Sequence, residues 1–203
     1  MGRRLLVILL PLCILACSDR DQVQGGTILP AEVELKAGDV VFRRGSGFAS
    51  QVVLMAEQGG TYSHVGIVAD SAGVPMIVHA VPEERDYDGD EDRVKLERPE
   101  KFFDRTKARE GAVYRHQDAE VARHAAQRAM KTYCRGTLFD HSYDDSDTTQ
   151  MYCTELVTHA YAETKRPLTG LVRHHLHLVG FEADCILPSD IQRCPELKLV
   201  TTF

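Results

Sequence analysis

The chain has 203 residues, 43% of them hydrophobic and 27% charged, which is enough apolar material for one compact domain and rules out a disordered or collagen-like polymer. Its 24 Lys and Arg against 30 Asp and Glu give a net charge of −6, or −8 without Arg3 and Arg4. That balance points away from nucleic acid as a partner.

The first residues read differently from the rest: Arg3-Arg4, an apolar run from Leu5 to Ala16 broken only by Pro11, then Cys17-Ser18. The run is too short to span a bilayer comfortably, and its parts are those of an export signal, so residues 1–16 are set aside from fold reasoning as a cleaved leader. Ile14-Leu15-Ala16-Cys17 resembles a bacterial lipobox, in which the chain is cut before the cysteine and that thiol is acylated. The resemblance implies lipidation at Cys17 and membrane contact through the lipid. With Ser18 following, it further implies a place in the bacterial cell envelope, on the outer membrane facing the periplasm. Cys13, behind bulky Leu12, is the poorer candidate.

Residues 17–34 are polar, carry Gly25-Gly26 and Pro30, and show no periodic apolar face, so they are expected to be a tether to a domain spanning residues 35–203. Strands are predicted at Val40 to Arg43, His64 to Ala69 and Pro75 to Val81, the last two forming a hairpin about Ser71-Ala72-Gly73. Asp86 to Asp92 reads as a solvated acidic excursion, Arg98 to Thr106 as a short helix and Gly111 to Arg115 as a strand. Asp118 is placed to cap a helix whose Val121, Ala122, Ala125, Ala126, Ala129, Met130 and Tyr133 recur at helical spacing. A polar loop from His141 to Gln150 leads to a second helix that starts near Cys153 and ends before Pro167, and Leu197 to Val200 closes with a strand. Strands first and helices after, without βαβ alternation, predict an α+β fold.

In an oxidising compartment, free thiols either pair or work. With Cys13 and Cys17 assigned to the leader and the lipid, Cys134, Cys153, Cys185 and Cys194 remain; Cys185 and Cys194, nearest in sequence, are the candidates to staple a short loop. Cys153 at a helix start is expected to favour its thiolate, and its backbone N–H is a donor for an oxyanion. His64 opens a strand, where its ring can take a thiol proton and return it to a leaving group. His79 on the neighbouring strand can hold that ring in place.

Four blocks together, Gly38 to Phe42, Tyr62 to Val68, Tyr152 to Val157 and Leu187 to Ile191, resemble the permuted papain-like hydrolases of the YiiX and YaeF type, relatives of the NlpC-type cell-wall peptidases. His64 precedes Cys153, which is the order of the circularly permuted branch. The resemblance implies a papain-like, circularly permuted α+β domain, an antiparallel sheet with helices packed against it, with Cys153 as nucleophile, His64 as base and no cofactor. Where YiiX-like members have a Glu-Ala pair, this chain has His79-Ala80. The related lecithin–retinol-acyltransferase-like branch is similar in using two histidines with one cysteine, so His79 is expected to orient His64, with Glu83 and Glu84 as fallbacks.

The activity so implied is an exported cysteine hydrolase, or acyltransferase, acting through a thioester on a peptide, cell-wall or lipid-derived amide or ester. The alternative is a catalytically silent lipoprotein of the same fold that binds lipid or peptide. Metal binding has weaker support. His174-His175-Leu176-His177 places adjacent histidines on opposite faces of a strand, and Asp86-Tyr87-Asp88-Gly89-Asp90, with Glu97 further on, partly matches a calcium loop but has Glu91 where that loop needs glycine.

Overall fold

The computed structural model describes residues 26–57, 60–143, 147–178 and 181–203; the leader and Cys17 lie outside them. Eight strands form one sheet: β1 (Val40–Gly45), β2 (His64–Ser71), β3 (Val74–Val81), β4 (Arg93–Glu97), β5 (Ala108–His116), β6 (Leu138–Phe139), β7 (Gln150–Met151) and β10 (Leu197–Thr202). Their order is β10-β5-β1-β2-β3-β4-β6-β7, antiparallel throughout except for the parallel β6–β7 pair. A separate hairpin joins β8 (Arg173–Leu178) to β9 (Phe181–Ile186). The helices are α1 (Phe48–Ala56), α2 (Pro99–Phe102), α3 (Ala119–Cys134), α4 (Cys153–Ala162) and α5 (Pro188–Gln192). This is the α+β, mostly antiparallel arrangement that the strand and helix order predicts.

The β2–β3 hairpin turns through Ala72 (φ 54°) and Gly73 (φ 82°), the left-handed pair that a two-residue hairpin requires. At the start of α3 the Asp118 carboxylate accepts from the N–H of Glu120 at 2.9 Å and of Val121 at 3.3 Å, a cap of the kind worth about 1 kcal/mol. The small residues on its buried face, Ala122, Ala125, Ala126 and Ala129, let α3 lie close to the sheet. Gly38 depends on having no side chain: its φ is 87°, and a Cβ there would fall 2.2 Å from the Ala122 carbonyl oxygen.

Both faces of the sheet are covered, which is why β2 reads as a continuous apolar run rather than an alternation. On one face Val40, Phe42, Val65, Ile67, Val78 and Ala80 pack with α3 and α4. On the other, Val41, Val68, Ile77 and Val113 pack with Phe102 and Phe103. Ile28, Leu29, Val33 and Leu35 cover this second face. The Ile28 N–H donates to the Phe103 carbonyl at 2.9 Å and the Arg105 N–H to the Gly26 carbonyl at 3.0 Å. From residue 26 onward, then, the segment expected as a tether is part of the domain; its few apolar residues are spaced irregularly because they cover a sheet face rather than build a helix or strand.

Other expectations also change. The acidic excursion is tied down rather than solvated: Asp90 is buried, Lys95 reaches Asp86 at 3.1 Å and Asp90 at 3.3 Å, and Arg93 lies 2.9 Å from Asp90. The helix expected from Arg98 to Thr106 is only the single turn of α2. Cys134, Cys153, Cys185 and Cys194 are all unpaired, so the Cys185–Cys194 staple is not formed. Among the described residues no helix is long and apolar enough to cross a membrane.

Candidate active site

Cys153 is the first residue of α4, directly after Tyr152, whose N–H donates to the Glu155 carboxylate at 3.3 Å. The first turn of a helix leaves N–H groups without intrahelical acceptors, so the Cys153 N–H is available to a developing oxyanion. The thiol lines a cavity of about 250 Å³ at the end of the sheet where β1 finishes and β2 begins. His64 lines the same cavity, together with Arg43, Ser63, Tyr143 and Lys107. Two residues that are 89 positions apart in the chain thus line one cavity, where the N-terminus of α4 comes to the end of the sheet.

His64 Nε2 lies 3.0 Å from His79 Nδ1, so the second histidine stands where the sequence comparison places it, one strand over. Behind His79, on β4, is Glu97, which the sequence offers only as the distal acid of a calcium-loop-like stretch and not as a partner of the histidines. Glu97 Oε2 is 3.1 Å from His79 Nε2, and its other oxygen is 2.8 Å from Lys101 Nζ on α2. The β3–β4 register pairs Ile77 with Glu97 and His79 with Lys95, which puts Glu97 diagonal to His79 on the same face. The fallback residues do other work: Glu84 is ion-paired to Arg43 and Lys107, and Glu83 turns the chain at φ 63°.

Packing holds this polar row rigidly. The Phe102 ring lies 5.6 Å from His64 and 5.1 Å from His79, with the Arg43 guanidinium 4.7 Å from its centre. Gly66 is required beneath it, because a Cβ there would come within 2.8 Å of Ile77 Cγ2 and 3.1 Å of His79 Cβ.

Burial sets the protonation states. It pushes His64 well below the ordinary imidazole range, helped by the nearby Arg43, His79 and Lys107 charges. His79 is also lowered by burial, with Glu97 opposing. Burial would raise Glu97, but its bond to His79 and the Lys101 and Lys107 charges outweigh that and hold it well below the usual carboxylate range. The Cys153 thiol is pushed up to about 11 by burial, against the pull of the Val65 and Thr154 backbone. This reverses the expectation of a thiolate favoured by the helix start: desolvation outweighs the dipole. The resting site is a neutral thiol beside neutral imidazoles.

The second histidine cluster does not assemble. His174 faces Asp190 of α5 at 2.9 Å, while on β9 Asp184 faces His175 at 2.9 Å and Glu182 faces His177 at 2.7 Å. Among the described residues no group of three His, Cys, Asp or Glu side chains is placed to hold a metal ion.

The fold is shared with a known structure. A crystal structure described as the metalloprotein yiiX from Escherichia coli O157:H7 superposes with a TM-score of 0.66 at 18% identity, covering 84% of this chain and 99% of that one. No curated protein matches the chain. The family model of the permuted papain-like amidases, YaeF/YiiX, C92 family, matches residues 34–201. The chain belongs to that family of permuted papain-like amidases.

Proposed function

We propose that the protein is a cysteine amidase or esterase in which Cys153 is the nucleophile and His64 the general base. The observation that carries this reading is that the two side chains line one cavity while His64 is bonded through its far nitrogen to His79. His64 takes the thiol proton as Sγ attacks the carbonyl carbon, and the Cys153 N–H receives the oxyanion. The imidazolium gives its proton to the leaving amine or alkoxide, leaving a thioester. His64 then takes a proton from water, hydroxide attacks the thioester, and the thiol is released. An acyl acceptor other than water would make the same intermediate a transfer reaction.

Since the thiol is protonated at rest, the thiolate forms during attack rather than standing ready. The neutral, low-pKa His64 suits that role, as it is unprotonated through the physiological range. Cys17 as a lipid site would hold the domain on an envelope membrane, with cell-wall peptides or lipid-linked amides and esters within reach.

The test is mass spectrometry of the full chain after exposure to p-nitrophenyl acetate. An acetyl adduct on Cys153, and loss of nitrophenol turnover in a folded Cys153→Ala variant, are the expected results. Turnover retained by Cys153→Ala would end this reading. The raised thiol pKa is the observation that favours the silent lipid- or peptide-binding alternative, and a chain that never acquires the adduct would select it.

A further inference from the structure

We infer that Glu97 is a positioning residue for this chemistry: through His79, its carboxylate fixes the ring proton of His64 on Nε2 and leaves Nδ1 open to receive the Cys153 proton. The inference rests on the cysteine-hydrolase reading above and adds a fourth member that the sequence comparison does not supply.

The argument is one of donors and acceptors. Glu97 is buried beside His79, with Lys101 Nζ 2.8 Å from one oxygen and a further lysine, Lys107, 4.0 Å from the same oxygen. A carboxylate so placed is ionised and can only accept. His79 Nε2 lies 3.1 Å from the other oxygen, an ion-pair contact off the hydrogen-bond line, and the carboxylate charge draws the ring hydrogen to that nitrogen. A neutral His79 is then an acceptor at Nδ1, and the nitrogen 3.0 Å away, His64 Nε2, must be the donor. His64 Nδ1 is left with its lone pair. The direction of every hydrogen in the row follows from the charge at its far end, and the two rings cannot reverse one at a time.

Without Glu97 the reverse arrangement becomes equally open: His79 Nδ1 donates to His64 Nε2, and the His64 hydrogen moves to Nδ1. In that tautomer the base cannot take a thiol proton. The same wiring serves the charged intermediate. When Cys153 gives up its proton, His64 becomes an imidazolium whose Nε2–H still points along the row toward the Glu97 charge, so the carboxylate stabilises the state through which reaction passes without touching substrate.

Burying a carboxylate with two histidines is costly unless every partner is satisfied, and an aliphatic residue would fill this position at lower cost. The β4 strand nevertheless places Glu97 on the face shared with His79, and α2 supplies Lys101 to its outer oxygen. The ordinary alternative is that Glu97 serves only to anchor α2 to the sheet through Lys101. The two roles make different predictions for the isosteric amide.

In Glu97→Gln, the Lys101 ammonium, held in place by Asp86 at 2.6 Å, draws the amide oxygen toward itself. The amide NH₂ then faces His79 Nε2, which must become an acceptor, and both rings adopt the unproductive tautomer. We expect kcat for p-nitrophenyl acetate to fall by about a hundredfold or more with KM little changed. Glu97→Gln/Lys101→Met frees the amide to turn its oxygen to His79, and we expect it to recover about tenfold of that loss. A purely structural carboxylate predicts the opposite, because removing a second buried group compounds the damage.

Long-range ¹H–¹⁵N spectra of the histidine rings in the full chain give a readout that needs no variant. The expected result is hydrogen on Nε2 of both His64 and His79, with both moved to Nδ1 in Glu97→Gln. Hydrogen on His79 Nδ1 in the unaltered protein would overturn the assignment, as would Glu97→Gln with activity within about threefold of the parent, or a double variant that shows no recovery. Turnover retained by Cys153→Ala defeats the hydrolase reading instead, so the two failures are told apart.

Discussion

The protein carries two groups of histidines. In β8, His174, His175 and His177 crowd within four positions of sequence; each meets a different acid, and the side chains of His175 and His177 are 64% and 75% exposed. His64 and His79 lie 15 residues apart on separate strands, yet are 3.0 Å apart in space and packed against the Phe102 ring. Density in sequence marks the first pair of strands as a ladder of surface ion pairs, each worth little in water. Adjacency across strands, burial and a carboxylate behind His79 distinguish the second. What separates them is whether one ring's hydrogen decides where the next ring's hydrogen must be.

The widest gap between the two groups should be in turnover. His64→Ala removes the base and is expected to reduce kcat for p-nitrophenyl acetate by about 10²- to 10⁴-fold, and His79→Ala by less, since it removes the support and not the acceptor. His177→Ala should stay within about twofold. Equal losses at His64 and His79 would show the two rings acting as one unit, and a His177→Ala variant as impaired as His64→Ala would erase the distinction.

Thiol reactivity sharpens the same contrast from the nucleophile's side. With its pKa pushed from an ordinary 9.0 up to about 11, Cys153 at pH 8 is thiolate in about one molecule in a thousand, against about a tenth for an unperturbed thiol. Iodoacetamide labelling of Cys153, located by peptide mass spectrometry, should still be climbing between pH 8 and pH 10. A plateau reached below pH 8 would mean a standing thiolate, and would return the site to the arrangement the helix start alone suggests.

Those contrasts also mark what the sequence could and could not say. The β2–β3 hairpin and α3 were legible because local chemistry fixes them: Ala72-Gly73 at the turn, Asp118 at the cap, small apolar residues at helical spacing. Cys153 and His64 were legible through the blocks around them. Glu97 was not, because the Arg93 to Glu97 segment alternates like any charged edge strand; its function comes from a diagonal register with His79 that no local pattern encodes. Residues 26–34, part of the covering segment, read as tether for a related reason. Its apolar residues are few and aperiodic, and their burial depends on the face of the sheet that Phe103 and Phe203 leave for them. The thiol's protonation was missed because a helix position is visible in sequence while desolvation is not.

The smallest effect expected is on stability, and its sign follows from burial. Burial holds His64 and His79 below the ordinary imidazole value of 6.5 in the folded state, so between those values the unfolded chain binds protons that the native rings refuse. Stability is therefore full above pH 6.5 and falls as the pH drops through that window, by about 1.4 kcal/mol per pH unit for each ring. Glu97 acts later: its stabilisation is present above the ordinary carboxyl value of 4.5 and is lost below it, as the unfolded carboxyl protonates first. Urea midpoints measured from pH 7 to pH 5 should fall steadily in the parent, fall less steeply in His79→Gln, where one refusing ring is gone, and follow the parent in His175→Gln. Midpoints that stay flat down to pH 5 would mean that water or a compensating acid reaches the inner pair as freely as it reaches β8. The structural difference between the two groups would then carry no energetic consequence.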